Sequence, residues 1–233
     1  HFTSILELNI EEQWVMVEPG VVRDELNSFL SEHGLFFGPN TSTANRCMIG
    51  GMVGNNSSGT TSIKYGVTRD HVLELQTVLS DGSEATFNRE GSPAKEEHFK
   101  SQIEKQVTAL LNEPGARNEL ISKSPKKSIH RRNTGYALDL LAGDKNNLDL
   151  TKLLTGSEGT LALTTAIKLN LDKVPPAHVN LVCAHFNSIH ESMEAVLVAM
   201  KAQPFACELM DKIILDCTKG NLEQQENRFF VEG

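Results

Sequence analysis

The chain has 233 residues and a formal net charge of −8, with 22 Lys and Arg against 30 Asp and Glu. This acidic balance argues against a general nucleic-acid-binding protein, which is expected to be basic. Hydrophobic residues make up 39% of the chain, which is ordinary for a globular protein, and no apolar run approaches the roughly 18–20 residues that a membrane-spanning helix needs.

The cysteines and the chain start bear on location. The four cysteines are widely spaced and form no C-x-x-C pair, which fits neither a zinc knuckle nor a dense disulfide framework. We therefore predict reduced and mostly buried thiols, a cytoplasmic location and no metal site in this chain. The start, His1-Phe2-Thr3-Ser4, has neither an initiator Met nor a signal peptide, so we expect a fragment or a processed product.

In the N-terminal third of the chain we predict two strands, a helix and an irregular segment. Ile5–Asn9 and Trp14–Glu18 alternate apolar and polar residues, as strands do. Val22–Glu32 carries an apolar helical face and is followed by Gly34, a typical helix stop. From Phe37 to Gly66 the chain is rich in Gly, Asn, Ser and Thr, and no regular structure is predicted there.

Regular structure resumes with a hairpin. Val72–Leu79 and Glu84–Phe87 read as strands around Asp81-Gly82, a strong hairpin signal. The elements that follow are a helix over Glu96–Asn112, a short helix over Leu148–Leu154 and a long strand over Thr160–Asp172.

A proline pair in Val174-Pro175-Pro176-Ala177 predicts a domain boundary, because it rules out a continued helix or a central strand. We therefore predict two domains, residues 1–174 and 175–233. In the second domain we predict strands over Val179–Phe186 and Pro204–Leu209 and helices over Ile189–Lys201 and Lys212–Cys217. That order suggests the beginning of an α+β unit.

The segment Cys47–Gly59, followed by Lys64-Tyr65-Gly66, carries the strongest chemical signal. Its glycines allow close backbone approach to a ligand, and backbone N–H groups of such a segment can converge on a diphosphate. This segment therefore has two interpretations. It is either one wall of a site for a phosphate-bearing planar cofactor or a long surface loop. Ile49 stands where a G-x-G-x-x-G fingerprint needs Gly, which disfavours a conventional nicotinamide site.

Several motifs, in order along the chain, carry a family resemblance. They are Val17-Glu18-Pro19-Gly20, Ile49-Gly50-Gly51, Asn55–Gly59, Tyr65-Gly66, Asn133-Thr134-Gly135-Tyr136, Gly156-Ser157-Glu158-Gly159-Thr160-Leu161 and Glu208-Leu209-Met210-Asp211. Together they resemble the PCMH-type FAD-binding domain of the vanillyl-alcohol oxidase superfamily. Within it they are most similar to the D-2-hydroxyacid dehydrogenases of the D-lactate, D-2-hydroxyglutarate and glycolate oxidase types.

The resemblance implies an α+β fold, with the second part of an FAD-binding domain followed by the start of a ferredoxin-like substrate domain. It places on FAD the residues Pro39, Ile49, Gly50, Gly51, Asn55, Ser58, Gly59, Tyr65, Gly66, Glu158, Gly159 and Leu163. One departure is Ala162, where the family commonly has Gly. Tyr136 matches a position that supports the flavin structurally.

The basic stretch Lys126–Arg132 has two interpretations. Arg131 and Arg132 could bind a substrate carboxylate, since a guanidinium recognises carboxylates bidentately, but a solvated basic loop is favoured. The family's R-G-G-G-T diphosphate loop and its metal-binding H-x-H pair are both absent. We therefore expect the catalytic residues downstream of this chain, and we expect the chain alone to be inactive.

The function that the resemblance implies is oxidation of a D-2-hydroxyacid to the 2-oxoacid, with hydride transfer to FAD. It implies an unidentified electron acceptor, through which the protein could associate with a membrane. It also implies an iron–sulfur cluster and a divalent metal held by parts outside this chain. Two alternatives remain: a fragment of the same fold without activity, and another reaction on that fold, such as alditol oxidation.

Overall fold

The computed structural model describes residues 2–89, 98–126, 128–129, 131–132, 135–143 and 148–229. The chain divides into two compact units, His1–Val174 and Pro175–Gly233.

The first unit is built on a five-stranded antiparallel sheet with the strand order β1-β2-β6-β4-β5. The strands are β1 Ile5–Asn9, β2 Trp14–Val17, β3 Leu35–Phe36, β4 Val72–Val78, β5 Glu84–Asn88, β6 Leu163–Asn170 and β7 Asp172–Lys173. Strand β6 lies at the centre, between β2 and β4, and the short strands β3 and β7 form a separate pair.

The helices of the first unit are α1 Arg23–Ser31, α2 Ile49–Asn55, α3 Ser62–Tyr65, α4 Thr68–His71, α5 His98–Asn112, α6 Ala116–Lys123, α7 Leu138–Gly143 and α8 Thr151–Leu154. Those of the second unit are α9 Ile189–Ala199, α10 Lys212–Cys217 and α11 Leu222–Gln225. Among the described residues, no helix combines the length and the apolarity that crossing a bilayer requires.

The main core of the first unit fixes the orientation of α2. Ile49, Met52 and Val53 are buried in the same cluster as side chains of α1 and of strands β2, β4 and β6. Full burial of such side chains contributes about 1.5–3 kcal/mol each. Because residues three and four apart share a helix face, this anchoring leaves Gly51 and Asn55 on the exposed side.

Most of the predicted elements of the first unit are confirmed, including the hairpin of β4 and β5 and the long strand that became β6. The prediction that Phe37–Gly66 lacks regular structure is wrong, because α2 and α3 lie within it. Helix α2 forms despite three glycines since the burial of its apolar face offsets their low helix propensity. Residues 96–97 of the predicted helix Glu96–Asn112 lie outside the described residues, as do Lys127, His130, Asn133 and Thr134.

In the second unit, both predicted helices are confirmed. The predicted strands Val179–Phe186 and Pro204–Leu209 are wrong: among the described residues, 175–229, neither segment forms a strand. A strand needs a hydrogen-bonded partner, and an apolar pattern alone does not supply one. The side chains of Val179, Leu181 and Val182 are accordingly at least 75% exposed.

Candidate cofactor-binding site

A surface cavity of about 630 Å³ opens beside the N-terminal half of α2. It is lined by Pro19, Gly20, Thr41, Thr43, Arg46, Cys47, Met48, Gly50, Gly51, Met52 and Ser57. Most of the exposed wall is apolar, with hydroxyl groups, one guanidinium and backbone among the groups that line it. This donor set fits a phosphate-bearing ligand, because hydroxyls, guanidinium and backbone N–H groups all donate hydrogen bonds to phosphate oxygens.

The two glycines at the start of α2 have different roles. The Gly50 N–H donates to the carbonyl of Pro19 at 2.8 Å, and a Cβ at position 50 would come within 2.5 Å of the Pro19 Cβ. Gly51 is exposed, and a Cβ there would meet no atom within 4 Å. Gly50 therefore serves packing, whereas Gly51 leaves the backbone bare where it lines the cavity.

The loop Thr155–Gly159 meets the C-terminal end of α2. The N–H groups of Gly156 and Glu158 donate to the carbonyls of Val53 and Gly54 at 2.8 and 2.9 Å. The Asn55 side chain donates to the Glu158 carboxylate at 3.3 Å, across 103 residues of sequence. Two predicted segments that lie far apart in the sequence are thus adjacent in the structure.

Glu158 has a left-handed backbone, with φ of +54°, and Gly159 follows with +71°. A residue with a Cβ pays a steric cost in this region. Here that conformation directs the Glu158 N–H and its carboxylate toward α2 together.

Ser58 and Gly59 continue the same surface, and Pro39 lies beneath it. The Arg131 Nε donates to the Ser58 Oγ at 3.0 Å. Gly59 packs so closely on Asn40 that a Cβ would collide with the Asn40 backbone and side-chain oxygens. Pro39 is buried, and its carbonyl accepts from the Nε of Arg23 at 3.2 Å. Its role in the structure is therefore to support the segment from behind.

The two candidate arginines differ in their partners. Arg132 is half-buried and forms an ion pair with Asp139 at 2.5 Å. Arg131 is exposed, and its Nε reaches Ser58. The guanidinium of Arg131 thus contacts a side chain of the Asn55–Gly59 segment, whereas Arg132 meets that segment through its backbone carbonyl, which accepts from the Nδ2 of Asn56 at 3.1 Å.

Three predicted residues lie elsewhere. The Ile49 side chain is fully buried in the core. Leu163 begins β6, pairs with Val78 and is 68% exposed. Tyr65 makes an edge-to-face contact with Phe36, their ring centroids 5.0 Å apart. Burial and, secondarily, Asp172 raise the pKa of Tyr65.

A buried polar group fastens the Tyr65–Gly66 segment. The His71 ring nitrogens lie 2.7 Å from the carbonyl of Tyr65 and 3.1 Å from that of Asn170. Gly66 has φ of +66° and lies against the carboxylate of Asp70. Asp172 lies 3.8 Å from His71, and burial raises the pKa of this carboxyl, although His71 and Lys64 act in the opposite direction.

Sequence reasoning missed most of the cavity lining, namely Pro19, Gly20, Thr41, Thr43, Arg46 and Ser57. Pro19-Gly20 belongs to a motif of the family resemblance but was not placed on FAD, and Thr41 and Thr43 carry no motif of their own. For Thr41, Thr43 and Arg46 the available signal was position, since they lie within ten residues before Gly50 and Gly51. Among the described residues, no group of His, Cys, Asp or Glu could hold a metal ion.

Residues 1–88 match the model of the FAD binding domain family. The chain is 35% identical over 229 residues to D-2-hydroxyglutarate dehydrogenase of Haemophilus influenzae, covering 95% of this chain and 22% of that protein. It is 30% identical to a mitochondrial cytochrome-type D-lactate dehydrogenase of Arabidopsis thaliana (88% and 27%) and 28% identical to glycolate oxidase subunit GlcD of Bacillus subtilis (91% and 35%).

These matches confirm the resemblance, the PCMH-type α+β fold and FAD as the cofactor of the domain. The chain spans about a fifth to a third of the length of the relatives it matches. Which residues touch FAD remains a prediction.

Proposed function

We propose that the protein acts in the FAD-dependent oxidation of a D-2-hydroxyacid, such as D-2-hydroxyglutarate, D-lactate or glycolate, to the 2-oxoacid. The observation that carries this proposal is the meeting of α2 with the loop Thr155–Gly159 beside an open cavity. The names of the three relatives favour this chemistry over another reaction on the same fold.

In this proposal FAD lies against α2 and the loop Thr155–Gly159. The cofactor supplies the hydride-accepting flavin ring. The chain supplies the surface that orients it: bare backbone at Gly51, and the hydroxyls of Thr41, Thr43 and Ser57 around the cavity. Arg46 also lines the cavity, and we expect its guanidinium to bind the diphosphate.

Arg131 is the better candidate of the two arginines for the substrate carboxylate. Arg132 already has a carboxylate partner, Asp139, so its charge is used within the protein. Arg131 is exposed and borders the Asn55–Gly59 segment through Ser58. A guanidinium held by one nitrogen keeps its remaining donors for a ligand.

The unit Pro175–Gly233 would be the start of the substrate domain. Its described residues expose many large apolar side chains, which is typical of a surface that packs against further structure. The catalytic base, the divalent metal, the iron–sulfur cluster and the electron acceptor would belong to other parts of the protein.

A cytoplasmic location belongs to the same proposal. Its support is chemical: Cys47, Cys183, Cys207 and Cys217 are all free thiols in the structure, as is usual in a reducing compartment. The prediction that these thiols are mostly buried is wrong, because two of them are exposed and two are half-buried. Fractionation with an antibody against the chain would test it.

The proposed function is tested by loading the protein with FAD and recording the visible absorbance of the bound flavin. Anaerobic addition of D-2-hydroxyglutarate, D-lactate or glycolate to the full-length protein should bleach that absorbance, whereas L-lactate should not. A protein that takes up no FAD would contradict the site. One that binds FAD but is reduced by none of the acids would contradict the reaction and favour the inactive or differently reacting alternative.

A further inference from the structure

Arg69, in helix α4, is an almost fully enclosed cation, with 5% of its surface exposed. Its Nε and Nη2 donate to the carbonyl oxygen of Thr155 at 3.1 and 2.5 Å. Thr155 is the first residue of the loop whose N–H groups bond the end of α2. The guanidinium therefore holds that loop at its base.

The loop backbone is shaped to the guanidinium. Gly156, the next residue, has φ of +93°, and a Cβ there would collide with the Nη2 of Arg69. Only glycine combines that backbone conformation with that closeness. From the same position, the Gly156 N–H reaches the carbonyl of Val53 at 2.8 Å.

The backbone of Arg69 is fastened to the other segment. Asn56, directly after α2, is fully buried and left-handed, with φ of +54°. Its Oδ1 accepts from the Arg69 backbone N–H at 2.8 Å, and its Nδ2 donates to the carbonyl of Arg132 at 3.1 Å. Arg69 thus binds the α2 side through its backbone and the loop side through its guanidinium.

The charge of Arg69 is costly where it lies. Burial lowers its pKa, but a guanidinium stays protonated in proteins. Within the described part of the chain, no carboxylate forms an ion pair with it: Asp70 and, more weakly, Asp139 favour the charge from a distance, and Asp139 is paired with Arg132. A buried charge without a counter-ion is expensive, and an apolar side chain would fill the space at lower cost. The cost is understandable if the two guanidinium hydrogen bonds hold a shape that function requires.

We propose that Arg69 is the positioning residue of the FAD-binding surface, fixing the loop Thr155–Gly159 against α2. The inference rests on the proposed function, in which FAD lies against these two segments. Arg69 itself would not touch FAD: it acts through Thr155 and Asn56.

The test compares Arg69→Met with Arg117→Met in the full-length protein. Arg117 is a matched control, because its guanidinium also donates to backbone carbonyls, those of Leu141 and Ala142, at 3.3 and 2.9 Å. Two quantities are measured well below each unfolding midpoint: amide hydrogen exchange of Gly156 and Glu158, and the dissociation constant of FAD. Arg69→Lys, which keeps the charge but not the forked donor, serves if Arg69→Met does not fold.

We expect Arg69→Met to speed exchange at both amides and to weaken FAD binding about tenfold or more, as loss of charged hydrogen bonds commonly does. Arg117→Met should change neither. Faster exchange with unaltered FAD affinity would overturn the positioning role, as would equal FAD loss in both variants. If the unmutated protein binds no FAD, the proposed function has failed, and the exchange data still decide whether Arg69 holds the loop.

Discussion

The three glycines of helix α2 give a sharp prediction, because the structure assigns them different surroundings. A Cβ at position 51 meets no atom within 4 Å, and one at position 54 meets only ordinary contacts at 3.8–4.0 Å from Glu158 and Gly159. Replacing a helical Gly by Ala stabilises by about 0.5–1 kcal/mol where there is room. Gly51→Ala and Gly54→Ala should therefore both raise the free energy of unfolding by up to about 1 kcal/mol.

Gly50→Ala should do the opposite. Its Cβ would lie 2.5 Å from the Pro19 Cβ and 3.0 Å from the Pro19 carbonyl oxygen. Overpacking of this kind costs about 1–3 kcal/mol, which exceeds the gain in helix propensity. Urea unfolding followed by circular dichroism measures all three values.

FAD binding separates the two stabilised variants. Gly51 lines the cavity and Gly54 does not, so a methyl group at position 51 should block close approach of the cofactor. We expect Gly51→Ala to weaken FAD binding about tenfold, or about 1.4 kcal/mol, while Gly54→Ala binds as the unmutated protein does. Flavin fluorescence titration gives both constants. Equal FAD affinity for Gly51→Ala and Gly54→Ala would refute the assignment of this cavity to FAD, whatever the stabilities.

Three further predictions follow from the same contacts. Arg131→Met in the full-length protein should raise KM for the hydroxyacid with little effect on FAD affinity, and unaltered steady-state kinetics would remove Arg131 from the substrate site. Asp172→Asn should stabilise the first unit at neutral pH. Burial raises the pKa of Asp172 in the folded state, so this group favours folding below its unfolded pKa of about 3.9 and loses that contribution as pH rises through the folded value. Thermal melts of both proteins should converge at acid pH, and a constant difference at all pH values would contradict this cause. Ile49→Ala should cost about 2–5 kcal/mol of stability, because its side chain is fully buried in the core, and a loss below about 1 kcal/mol would show that the core does not anchor α2.

The sheet of the first unit could be predicted because each of its strands has a pattern of apolar and polar residues, or a turn motif, within its own segment. Alternation in Ile5–Asn9 and the Asp81-Gly82 turn need no knowledge of distant residues. Helix α2 could not, because seven residues with three glycines are too short to display a period, and its stability comes from burial of Ile49, Met52 and Val53 against distant strands. The strands predicted in the second unit failed for the same kind of reason: ladder partners are not encoded in the segment itself.

In the candidate site, too, the sequence identified some features and the structure was needed for others. The resemblance named Asn55 and Glu158 individually, and the structure adds that they touch. It named Ile49 as a cofactor residue, whereas its side chain lies in the core and its neighbours Met48, Gly50 and Gly51 line the cavity. A motif identifies a segment, but the burial pattern within the segment decides which atoms a ligand can reach.

The two segments of the proposed FAD-binding surface are stabilised by different interactions. Helix α2 is anchored by its apolar face, but the loop Thr155–Gly159 contributes few apolar side chains and is fixed by hydrogen bonds from Gly156, Glu158 and the Arg69 guanidinium. Hydrogen bonds of this kind contribute only about 0.5–1.5 kcal/mol each, and up to about 3 when charged. The loop should therefore open locally at a lower free energy than α2 does. A ligand that contacts both segments binds only the closed arrangement, so part of its affinity is spent on closing the loop, and every group that closes it in advance, Arg69 above all, raises that affinity without touching the ligand.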